Sequence, residues 1–80
     1  MTNRQQIIKA ARIATGFVHL AGSARDARPM VKLAMQWCDK IVGLSDDNRL
    51  TRDEQVLAVK AGGVILAMIS SRFGTSAKYL

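Results

Sequence analysis

Val56-Leu57-Ala58-Val59-Lys60-Ala61-Gly62-Gly63-Val64-Ile65-Leu66-Ala67-Met68-Ile69 carries one charge, Lys60, and two adjacent glycines. No sustained period-two alternation marks a strand, so the run reads as a helix that is apolar nearly all round. Such a helix needs cover on most sides, and a chain of 80 residues supplies little of it. The pattern predicts a helical core shared with a second copy or with another protein.

The start of this helix is marked by Thr51-Arg52-Asp53-Glu54, a capping box in which hydroxyl and carboxylate each satisfy a free backbone N–H. Asp53 and Glu54 also complement the positive helix end. The pattern runs on to Arg72 or Phe73, with Gly74 as the stop and residues 75–80 as a short tail.

Two further helices are expected. In the first, Ile7, Ala11, Ala14, Val18 and Ala21 follow helical spacing, flanked by Ile8, Ile13, Phe17 and Leu20, with Gln5, Lys9, Arg12, Gly16 and His19 opposite. Asn3 suits the N-cap and Gly22 the stop. Gly16 costs about 1 kcal/mol relative to alanine, which suggests a close contact or a bend. Pro29 fits the first turn of the second helix, with Asp26 or Arg28 at its boundary. Its apolar face is Met30, Leu33, Ala34, Trp37, Cys38, Ile41 and Leu44, its outer face Lys32, Gln36, Asp39 and Lys40, and Gly43 its end. The expected fold is all-α: one domain, 1–80, a compact three-helix unit with helices at about 3–21, 29–43 and 52–73, the third of them central, associating as a dimer.

The third helix holds small residues four apart, Gly63, Ala67 and Ser71, and a second pair, Ala58 and Gly62. Small residues at this spacing let another backbone approach closely. They predict either a tight crossing within the chain or a dimer seam, and in both cases Gly63→Leu is expected to block the contact.

Several function classes are disfavoured. One cysteine, Cys38, permits neither an internal disulfide nor a four-cysteine zinc site, and fits a reducing, cytoplasmic location. The polar start and the interruptions at Lys9 and Arg12 are not a signal-peptide pattern. The uncharged run in this helix, Ala61 to Ser71, falls short of the roughly twenty residues of a membrane span. Asp46-Asp47-Asn48 with Asp53 and Glu54 fails the calcium-loop spacing, since Leu50, Thr51 and Leu57 occupy positions that need a ligand, a turn glycine and a bidentate glutamate. These residues read as turn formers and caps. His19 has no second histidine, and it suits a helix C-terminus. Cys38 beside Trp37 reads as a small buried group. No catalytic residue, cofactor or metal is expected.

The formal charge is +6, concentrated in residues 1–28, where Arg4, Lys9, Arg12, Arg25 and Arg28 face Asp26 alone. A basic helix face supplies phosphate contacts, so these five are the candidate surface for nucleic acid or an acidic partner. A helix-turn-helix is disfavoured because the linker from Gly43 to Thr51 is long and the helix after it is too apolar to enter a groove. Phe17, Trp37, Phe73 and Tyr79 are too scattered to stack bases. The first helix is amphipathic, but its alanines and its lack of an edge tryptophan disfavour membrane-surface binding.

Leu50-Thr51-Arg52-Asp53-Glu54 and the helix after it resemble part of the Hha-type nucleoid modulators. The likeness rests on capping and small residues and implies no function. The expected function is that of a small non-catalytic interaction protein, a regulator or inhibitor of the kind phages and plasmids carry, acting on a partner protein. The exposed candidates are the third helix and the Met30, Met35 and Trp37 region. The alternative is a basic nucleic-acid-binding protein that contacts phosphates through its first helix.

Overall fold

The computed structural model describes residues 2–74. They form three helices, α1 (Asn3–Ser23), α2 (Arg28–Leu44) and α3 (Arg52–Phe73), and no strand. The all-α expectation holds, with boundaries within two residues of those read from the sequence. The expected tail at 75–80 lies outside the described residues.

Each start has a local cause. Thr51 Oγ1 accepts from the Glu54 N–H at 3.2 Å while Glu54 Oε1 accepts from the Thr51 N–H at 2.7 Å, the capping box read from the sequence. α1 has the same device one residue earlier than expected. Its cap is Thr2 rather than Asn3, because Thr2 and Gln5 stand at box spacing and exchange bonds at 3.1 and 2.9 Å. α2 has no side-chain cap, but Asp26 Oδ1 accepts from the Arg28 N–H at 3.1 Å and Pro29 sits in the first turn.

Two expected stops shift. Gly22 and Gly43 lie within their helices, which run on to Ser23 and Leu44, and each glycine's Cβ direction faces open space. Gly74 ends α3 as expected, at φ 87°, a conformation glycine adopts without a Cβ penalty.

The core is Ile7, Ala10, Ala14, Val18 and Ala21 from α1, Val31, Ala34, Cys38 and Ile41 from α2, Ala58, Ile65 and Ile69 from α3, and Leu50 from the loop. Ala10 rather than Ala11 faces inward, and Val31 replaces Met30 and Leu33, which are half-buried. α3 is not central. It shares the core with its neighbours and leaves a whole face outside.

Gly62 marks the closest approach of α3 to α2. A Cβ there would lie 2.6 Å from Val42 Cγ2 and 3.8 Å from both the Cys38 carbonyl oxygen and Ile41 Cγ2. Gly63, one step round the helix, has nothing within 4 Å of its Cβ position. The two small-residue series therefore separate: Ala58 and Gly62 are buried in the internal crossing, while Gly63, Ala67 and Ser71 are exposed. The expectation that Gly63→Leu would block an internal contact is corrected, because that side chain would project away from α1 and α2.

The adjacent glycines should respond in opposite directions. Gly62→Leu is expected to lower unfolding stability by about 2 kcal/mol through overpacking against Val42, and Gly63→Ala to raise it by about 0.5–1 kcal/mol through helix propensity. Urea unfolding followed by circular dichroism measures both, and equal responses would contradict the packing described.

Candidate protein-docking surface

The surface follows from the phase of α3. Ala58, Gly62, Ile65 and Ile69 face inward at helical spacing, so Val56, Val59, Gly63, Val64 and Ala67 must face outward. Val56, Val59 and Val64 are 42%, 53% and 62% exposed, and Lys60 is the only charge among them. Three exposed β-branched residues around a glycine and an alanine make a flat, dry face of the kind that marks a partner site.

Beside it, α1 and α3 leave a groove. Ile8, Ala11, Thr15 and Gly16 form one wall and Leu57, Ala61, Val64 and Met68 the other, with Arg12, His19 and Lys60 at the rims. The larger part holds about 490 Å³. α1 runs through Gly16 as unbroken helix, and a Cβ there would meet nothing within 4 Å. The contact or bend expected at Gly16 is absent, and the glycine instead widens the groove. His19 lies a full turn before the helix end, because α1 reaches Ser23, so its expected place at the C-terminus is corrected.

The five candidate cations do not form one patch. Lys9 and Arg12 share the outer face of α1 and make no ion pair among the described residues. Arg4 lies toward α3, where its charge acts on Glu54. Glu54 is held below the usual carboxylate range first by the Thr51 backbone N–H, then by the Thr51 and Asn3 side chains and by Arg4. Arg25 and Arg28 sit at the far end of α1, about 30 Å away at 1.5 Å per residue. Arg28 is also engaged: its Nε and Nη2 each donate to the Asp26 carboxylate at 3.0 Å.

A smaller groove between α1 and α2 is lined by Lys9, Ile13, Trp37 and Lys40. Lys40 Nζ stands 4.5 Å from the Trp37 ring centre, so one face of that ring is already covered by a cation. Met30, Met35 and Trp37 are half-buried against the core, which leaves α3 as the more exposed of the two regions expected to meet a partner.

The acidic loop is held by its own side chains. Arg49 Nε, Nη2 and backbone N–H donate to the Asp47 carboxylate at 3.0, 2.8 and 2.9 Å, and Gln55 Nε2 donates to the Asp47 carbonyl at 2.9 Å. Cys38 is fully buried, and burial, reinforced by the Asp39 charge, pushes its thiol up to about 11.

α3 spans 22 residues, about 33 Å. Its most apolar 18-residue window has a mean hydropathy of 1.6 and is 22% buried. By length and composition it is long and apolar enough to cross a membrane. The uncharged-run criterion missed this because it stops at Lys60. A span would require α3 to leave α1 and α2, against which Ala58, Gly62, Ile65 and Ile69 are buried.

No protein-family model, curated protein or solved structure matches the chain.

Two outcomes follow from the ionisable groups. Cys38 should resist a thiol reagent such as Ellman's in the native state and react fully in denaturant, because only the accessible thiolate attacks; native-state labelling at the denatured rate would show that the α2–α3 crossing opens. The Asp47 carboxyl should titrate at about 2 by NMR, lowered first by the Arg49 side chain and then by its N–H. A depressed carboxyl stabilises the fold above its unfolded pKa, about 4, and loses that contribution as pH falls through 2. Arg49→Ala should return the midpoint toward about 4.

Proposed function

We propose that the chain is a small non-catalytic interaction protein that acts as a regulator or inhibitor by helix packing on a partner protein, with a homodimer as the form the isolated chain takes. The single observation that carries this reading is the outer face of α3. Val56, Val59 and Val64 stand exposed around Gly63 and Ala67, with one charge, Lys60, among them. Burying such a face returns about 25 cal/mol for each Å² of apolar surface removed from water. Gly63 strengthens the reading, because a helical glycine costs about 1 kcal/mol relative to alanine and a Cβ at this one would meet nothing within 4 Å. A neighbouring helix backbone that approaches there would use the missing side chain.

Nucleic-acid binding through α1 is the second reading, supported by Lys9 and Arg12, which share an exposed face on a helix with no acidic residue. Two free cations at adjacent turns give weak, salt-sensitive phosphate contact. Reversal of both charges should abolish any duplex-DNA binding measured by anisotropy and leave an α3 interface intact.

Sedimentation velocity tests the first reading. The chain should sediment as a dimer at micromolar concentration, and Gly63→Leu and Val59→Lys should each shift it to monomer while helicity by circular dichroism is retained. A wild-type chain that stays monomeric across the whole range, or a Gly63→Leu variant that still dimerises, would remove the α3 seam.

A further inference from the structure

We propose that the groove between α1 and α3 seats an acidic amphipathic helix of a partner protein. The proposal rests on the reading of the chain as an interaction protein and adds the partner's chemistry at a site separate from Gly63.

The floor is aliphatic, made by Ile8, Ala11, Leu57, Ala61, Val64 and Met68. Along α1 it runs from Ile8 to His19, about 16 Å, which is three turns of a guest helix. Helix-in-groove recognition takes this form, with apolar anchors at i, i+3, i+4 and i+7 on a dry trough. Gly16 is the second observation. It weakens α1 by about 1 kcal/mol relative to alanine, and a Cβ added there would meet nothing within 4 Å. The space it leaves opens into the groove and serves no packing within the chain.

Charge selects the occupant. Arg12 on α1 and Lys60 on α3 stand on opposite rims, and neither has an ion-pair partner among the described residues. α1 has no acidic residue, and Glu54, one turn before Leu57, is already engaged by Thr51, Asn3 and Arg4. A guest with carboxylates on both sides of its apolar stripe would meet one cation on each wall. A second copy does not fit: its α1 would bring cations to cations, and its α3 is acidic only in the first turn. A nucleic-acid strand also fits poorly, because His19 at one end is the only ring in the lining and the rest of the trough offers no series of rings to stack bases.

A display library of amphipathic helices tests this, with leucines fixed on one face and flanking positions free to be Glu, Gln or Lys. Selection against the wild-type chain should enrich Glu on both flanks. An enriched clone made as a labelled peptide should bind by anisotropy at least about tenfold more weakly when its glutamates become glutamines. Gly16→Leu, whose Cβ has open space and whose longer side chain would occupy the groove, should keep wild-type helicity and lose binding by at least about tenfold. Arg12→Glu combined with Lys60→Glu should invert the preference to Lys clones. Peptide binding should persist in the Gly63→Leu chain, which cannot form the dimer seam, so failure of the seam and failure of the groove read out separately. The proposal is overturned by no enrichment, by clones without a charge preference, or by undiminished binding to Gly16→Leu. It is equally overturned if Gly16→Leu abolishes binding of duplex DNA or of phosphatidylglycerol vesicles while acidic clones do not bind.

Discussion

The crossing of α3 over α2 at Gly62 sets the rest of the structure. With Val42 Cγ2 2.6 Å from where a Cβ would stand, a larger residue fits only if Val42 moves, so the packing favours this rotation of α3 about its axis. Once Gly62 faces inward, Ala58, Ile65 and Ile69 follow it by helical periodicity. Val56, Val59, Gly63 and Ala67 are then forced outward, Leu57, Ala61 and Met68 form the flank toward α1, and the exposed Val64 borders both. Dry face and groove are therefore two consequences of one contact. A rotation by a single residue would bury Gly63 and carry Gly62 out of the crossing.

How much of this is legible in the sequence depends on whether a local signal has one meaning. Thr51 and Glu54 announce the start of α3 without ambiguity, since box spacing and acidic first turn agree. Thr2 and Gln5 carry the same signal, and it is hidden only because Asn3 between them is also a good cap. Faces are harder. In α1 the choice between Ala10 and Ala11 turns on a single methyl group of equal hydrophobicity, so the partner helices decide it. In α3 the apolar residues surround the helix and periodicity has no phase. Two small-residue series fit equally well, and only Val42 and Cys38, distant in sequence, select between them.

The charged residues show a different limit. Arg4, Lys9, Arg12, Arg25 and Arg28 form one cluster when counted along the chain, but an extended helix carries its ends about 30 Å apart. That is well beyond the roughly 8 Å over which exposed charges act on each other at physiological salt. Arg28 pairs with Asp26 and Arg4 stands near enough for its charge to act on Glu54, leaving Lys9 and Arg12 as the pair with a common outlook. Net charge survives the passage from sequence to structure, whereas a patch does not.

Of the five glycines inside helices, Gly22 and Gly43 stand in a last turn, and the other three separate the demands of folding from those of function. Each lowers helix stability by about 1 kcal/mol relative to alanine, in a chain whose size leaves only a small core to offset it. Gly62 returns that cost through the close approach of α2. Gly16 and Gly63 return nothing within the fold, for alanine would fit at either position with open space around its methyl group. One lies in the groove and the other on the exposed apolar face of α3. A folded monomer gains nothing from either, and a helix packed from outside gains the room that each missing side chain leaves.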